Sequence, residues 1–139
     1  MKILFFNDPM GTYFGDNAEQ EADYCKETLQ EWVFGKKKFD FESTFNSLDL
    51  ENKRYDMLIF DFGGIGIGAG GLVSSLSRQI LKLIEDRPDT LFIAWTHFTN
   101  EFLKDECSKE LGEYPNLINR EDSIEVTVKA IKKWIRMAK

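Results

Sequence analysis

Two hydrophobic runs that stop at acids constrain this chain more than any other feature. Ile3-Leu4-Phe5-Phe6 runs into Asn7-Asp8, and Met57-Leu58-Ile59-Phe60 runs into Asp61. Unbroken apolar runs of this length suit strands covered on both faces, as in a parallel sheet. If the two strands lie side by side and parallel, Asp8 and Asp61 meet at the C-terminal rim of that sheet. Open α/β sheets bind their ligands at this rim.

The rest of the chain alternates in the way such a sheet needs. A polar loop with Pro9, Gly11 and Gly15 follows the first strand. Ala22, Cys25, Leu29, Trp32 and Val33 then recur at steps of three and four, which predicts one buried helical stripe. Asn17 with Gln20 offers a capping box before it, and Gly35 ends it. Residues 39–45 alternate Phe39, Phe41, Ser43 and Phe45 against Asp40, Glu42 and Thr44, the pattern of a half-exposed edge strand. Residues 46–55 fit a single helical turn or a plain loop, a short link for a parallel crossover.

Beyond residues 57–61, the glycine-rich run 63–71 leads into a helix over about 72–86. Its stripe is Val73, Leu76, Ile80, Leu83 and Ile84. Pro88 stops it, and residues 91–95 form the next strand, with Thr96 and His97 at its carboxyl end. A helix over roughly 99–111 turns Phe102, Leu103, Cys107 and Leu111 inward, and Gly112 closes it. Residues 116–119 form a short strand at the other edge. Asp122 caps the last helix, which faces the sheet with Ile124, Val128, Ile131, Trp134 and Ile135. Right-handed crossovers turn this alternation into a doubly wound, five-stranded parallel sheet. The expected order is 2-1-3-4-5, in a three-layer α/β/α arrangement spanning residues 1–139 as one domain.

Composition narrows the function classes. With 42% hydrophobic residues and 30% charged residues, the 139-residue chain has the makings of one core and a hydrated surface. A net charge of -6 argues against nucleic acid or an anionic membrane surface as partner. The lysines and arginine of the last helix read as a solvated face that suits the helix dipole. No apolar run approaches the roughly 20 residues of a membrane span. No signal peptide precedes the first strand, and Cys25 and Cys107 read as separate buried thiols. Residence in the cytoplasm is the expectation.

At this point the chain resembles a response-regulator receiver domain, of flavodoxin-like architecture. In that family the third strand begins with Asp and ends, five residues later, in the Asp that accepts phosphate. Asp56-Met57-Leu58-Ile59-Phe60-Asp61 keeps that spacing. The resemblance implies Asp61 as phosphoacceptor, and Asn7, Asp8 and Asp61 as the Mg²⁺ ligands, with Asn7 replacing one acid. It implies Thr96 as the hydroxyl that senses the phosphoryl group. Arg120 takes the place of the family's Lys as the positive charge, although Asn119 is the closer match and no Pro follows. The loop after Asp61 is glycine-rich and the second helix is cut short. These departures point to a divergent, degenerate member, in which Mg²⁺ is an optional ligand and no cofactor is required. The expected role is regulation or protein–protein interaction rather than turnover.

Other residues support alternative readings. Gly63, Gly64, Gly66 and Gly68, followed by Ser74, can turn backbone N–H groups toward an anion at the start of the next helix. The run lacks the Gly-Lys-Ser/Thr of a P-loop, and Ile65, Ile67 and Leu72 suit packing or a partner equally well. Gly11-Thr12 with Tyr13 and Phe14 offers a weak flavin-type loop, so a small nucleotide- or flavin-binding protein stays open. His97 is the single histidine and has no convincing nucleophile partner in the sequence. Trp32, Trp95 and Trp134 all fall on inward positions. The Phe-rich strand 39–45 is the main argument for another protein, or a second copy, covering an aromatic edge.

Overall fold

Five parallel strands form one sheet in the computed structural model, which describes residues 1–7, 18–61, 70–95, 113–119 and 124–137. The strands are β1 (Lys2–Asn7), β2 (Asp40–Thr44), β3 (Met57–Asp61), β4 (Leu91–Ala94) and β5 (Leu117–Asn119). Their order is β2-β1-β3-β4-β5, and every neighbouring pair is parallel. This is the doubly wound topology that the alternation predicts, and it is flavodoxin- and receiver-like.

The helices are α1 (Ala18–Leu29), α2 (Asp49–Asn52), α3 (Gly70–Asp86) and α4 (Ile124–Met137). Strand side chains alternate between two core layers. Ile3, Phe5, Met57, Ile59, Leu91, Ile93 and Trp95 pack with Ala22, Cys25 and Leu29 of α1 and Ile131 of α4. Leu4, Phe6, Leu58, Phe60, Phe92 and Ala94 pack on the other side with Leu50 of α2 and Leu76, Ile80, Leu83 and Ile84 of α3. β3 is buried along its whole length, as a central strand covered on both faces must be.

The N-terminal end of the sheet is braced by polar side chains. Asp56 accepts the Lys2 backbone N–H at 2.8 Å, while its own backbone N–H donates to the Lys2 carbonyl at 2.8 Å. The first acid of the receiver-like spacing thus fixes the register of β1 against β3. The Asn116 amide donates to the carbonyls of Ile84, Arg87 and Thr90, each at 3.0 Å. Arg87 donates to the carbonyls of Leu50 and Glu51, and its guanidinium lies 5.3 Å from the centre of the Tyr55 ring. The Tyr55 hydroxyl donates to the Leu50 carbonyl at 2.6 Å, and burial pushes the phenol above its ordinary range. Leu50, Tyr55 and Arg87 do the work of the shortened second helix, since α2 is a single turn.

One inward assignment needs correction. Trp32 is 51% exposed. After Leu29 the helix widens into a π turn over Gln30–Phe34, closed by Gly35 N–H donating to the Gln30 carbonyl at 2.8 Å. The wider turn puts the following residues out of phase with an α-helical stripe, so Phe34 is buried and Trp32 faces outward. Gly35 supports the exit with φ of 59°, a left-handed conformation that glycine adopts without strain. Trp134 is partly buried against the core, whereas Trp95 is fully inside.

The aromatic edge is largely covered from within. β2 is an edge strand, as the alternation predicts, but Phe41 packs on Phe5 with ring centres 6.1 Å apart. Phe39 stacks on Phe34 at 4.5 Å. Phe45 stays exposed just past the strand, near the exposed Leu48. Cys25 is buried, as the stripe predicts, while Cys107, His97 and the helix expected over 99–111 lie outside the described residues. Among the described residues, no helix is long and apolar enough to cross a membrane.

Candidate functional site at the sheet rim

β1 and β3 run side by side, and their register pairs Asn7 with Asp61. The two residues that end these strands therefore share the C-terminal rim. Alternation places both side chains on the α1 face, because Phe5 and Ile59 two residues earlier belong to that layer. Trp95 follows β4 on the same face, with its backbone N–H donating to the Phe60 carbonyl at 3.0 Å. Tyr24 of α1 meets the Trp95 ring edge-on, with centres 6.5 Å apart. The rim thus presents a carboxamide and a carboxylate beside a tryptophan, under one turn of α1.

Asn7 is 2% exposed and Asp61 is 3% exposed. Neither Oδ1 nor Nδ2 of Asn7 has a hydrogen-bond partner among the described residues. A buried carboxamide can make up to four hydrogen bonds, and leaving such a group unpaired costs about 1–3 kcal/mol. An unpaired buried group at the rim of an open α/β sheet is the type of strain that functional sites carry. On β5, the Oδ1 of Asn119 is also buried without a partner among the described residues.

Asn7 and Asp61 offer two oxygen donors of the type that Mg²⁺ takes from protein, with water completing its shell. No group of three or more His, Cys, Asp or Glu side chains gathers among the described residues. The other expected site residues are not brought into view. Asp8, Gly63, Gly64, Gly66, Gly68, Thr96 and Arg120 lie outside the described residues, as do the loop residues Tyr13 and Phe14. Ser74 falls in the early turns of α3. The phosphate-loop and flavin readings therefore rest on sequence alone.

Sequence reasoning missed that Asn7 is buried with no amide partner among the described residues, reading it only as a neutral replacement for an acid. The signal was present in its place: a polar residue at the end of a run that is buried on both faces. It also missed Asn116 and Arg87, whose partners are far apart in sequence. No family model matches the chain, and no curated protein matches it.

Proposed function

We propose that this chain is a regulatory or protein-interaction domain on a degenerate receiver-like fold. The observation that carries the reading is Asn7, a neutral, buried carboxamide set opposite Asp61 and without a hydrogen-bond partner among the described residues. A receiver holds its ion with an extra acid at this place. With a carboxamide there, the rim keeps its shape but attracts a divalent ion less, since one charged ligand is gone. A domain that keeps the architecture and weakens the ion site works by docking rather than by phosphoryl transfer. Its partner surface is the edge strand at 39–45, where β2 has one neighbour and Phe45 and Leu48 are exposed beyond it.

A second reading is supported by Asp61, buried at the rim and paired in register with Asn7, whose carboxamide has no partner among the described residues. In it, Asp61 accepts a phosphoryl group, Asn7 and Asp8 orient Mg²⁺, and Thr96 donates to a phosphoryl oxygen. Two measurements separate the readings. Intrinsic tryptophan fluorescence is followed during Mg²⁺ titration, and intact mass is measured after incubation with acetyl phosphate. The docking reading expects no Mg²⁺ response at millimolar concentrations and no added phosphoryl mass. An added phosphoryl group that Asp61→Asn abolishes overturns it. Sedimentation at two concentrations, with and without Phe45→Ser, then tests whether the partner is a second copy.

A further inference from the structure

The π turn at Gln30–Phe34 serves no need of the sheet topology, which asks only for a helix between β1 and β2. Such turns are rare inside α-helices and are frequent at functional positions. This one is held on two sides. Gly35 N–H closes the wide ring onto the Gln30 carbonyl, and the Gln30 side-chain amide donates back to the Gly35 carbonyl.

The widened turn brings Val33 and Phe34 against Ile135 of α4, and these three floor a groove of about 470 Å³. The groove lies at the N-terminal end of the sheet, away from Asn7 and Asp61. Its walls are cationic. Lys37 and Lys38 come from the loop after the π turn, and Lys132 and Arg136 sit one turn apart on α4. None of the four forms an ion pair among the described residues, where the salt bridges are those of Lys53 with Glu42 and Asp49. The chain as a whole carries a net charge of -6, so this cluster runs against its overall sign. Gathering like charges without counter-charge is unfavourable unless an anion relieves it.

We propose that this groove binds a small amphipathic anion: a carboxylate, sulfonate or phosphate head on an aryl or acyl body. The apolar floor takes the body. Arg136 pairs with the head through its planar fork, and the lysines add point charges around it. The volume is that of a small-molecule pocket, and apolar and cationic groups share the one concavity. The site is independent of the rim, so it stands or falls separately from the docking reading.

The test is a fluorescence titration of the folded full chain with 8-anilinonaphthalene-1-sulfonate at low ionic strength. Near-ultraviolet circular dichroism establishes that the chain keeps native packing, since loosened states also bind this dye. The expected result is saturable binding that dodecanoate displaces. The double variants Lys132→Glu/Arg136→Glu and Lys37→Glu/Lys38→Glu should each weaken binding about tenfold, equivalent to about 1.4 kcal/mol. The uncharged analogue N-phenyl-1-naphthylamine should bind more weakly than the sulfonate. The lysine pair is on an exposed loop, so its reversal leaves the core intact. Absence of saturable binding overturns the proposal, as does binding that both double variants leave unchanged. Equal binding of the uncharged analogue also overturns it. So does an outcome in which anionic vesicles or an acidic Phe-containing peptide bind the groove and the dye does not.

Discussion

The two ends of the sheet treat buried asparagine in opposite ways. At the N-terminal end, Asn116 is 2% exposed and its amide reaches three backbone carbonyls. At the C-terminal end, Asn7 is equally buried and neither amide atom finds a partner among the described residues. One asparagine ties α3 and the start of β4 to β5, and the other has no amide partner among the described residues. The same residue type at the same depth is thus tied into the backbone at one end and without a described partner at the other. A parallel sheet makes this division natural, because all its C-terminal ends open on one side.

Mutations can break this comparison. The largest effect belongs to Asn116→Ala, which removes three hydrogen bonds to backbone carbonyls and should cost about 3 kcal/mol in urea denaturation. Arg87→Ala follows at about 2 kcal/mol, since it removes two charged hydrogen bonds and the stacking on Tyr55. A loss as small as that of a surface substitution would show that α2 is not braced by this residue.

Tyr55→Phe should cost about 1 kcal/mol at neutral pH. It should also change the alkaline limb of stability. Burial raises the folded phenol above its ordinary value of 10.0, so the folded state holds the proton longer than the unfolded state does. The associated stability is complete below pH 10 and falls as pH rises through the folded value. Unfolding of the parent chain should steepen above that pH, and Tyr55→Phe should remove this part of the decline. The smallest effect sharpens the contrast most. Asn7→Leu should be neutral, or stabilising by up to about 1 kcal/mol, because it deletes a buried polar group with no partner among the described residues. If Asn7→Leu costs as much as Asn116→Ala, the two ends are alike.

Much of this architecture was legible because it rests on periodicity and punctuation. Continuous apolar runs marked β1 and β3, and the spacing of Leu76, Ile80, Leu83 and Ile84 marked α3. The alternation at 39–45 correctly placed β2 at an edge. It overstated the exposed aromatic surface, because partners such as Phe34 lie in another element. Trp32 went astray for a local reason: an extra residue in one helical turn leaves no mark on the hydrophobic spacing. Asp56 matched a family pattern, yet its visible task is to hold Lys2, a contact set by register rather than by neighbours in sequence. At the rim, the pairing of Asn7 with Asp61 followed from parallel strands. That the carboxamide would be buried with no partner among the described residues depends on side chains from other elements, which spacing does not reveal.

The π turn also bears on how this chain tolerates length changes. Deleting one residue between Gln30 and Phe34 would allow ordinary α winding to resume, and a bulky indole would then compete with a phenyl ring for the same interior place. Helices seldom absorb a deletion without losing the alignment of everything downstream. Here the slack is local and ends at a glycine, so a chain shortened at this point would keep the sheet while losing the groove.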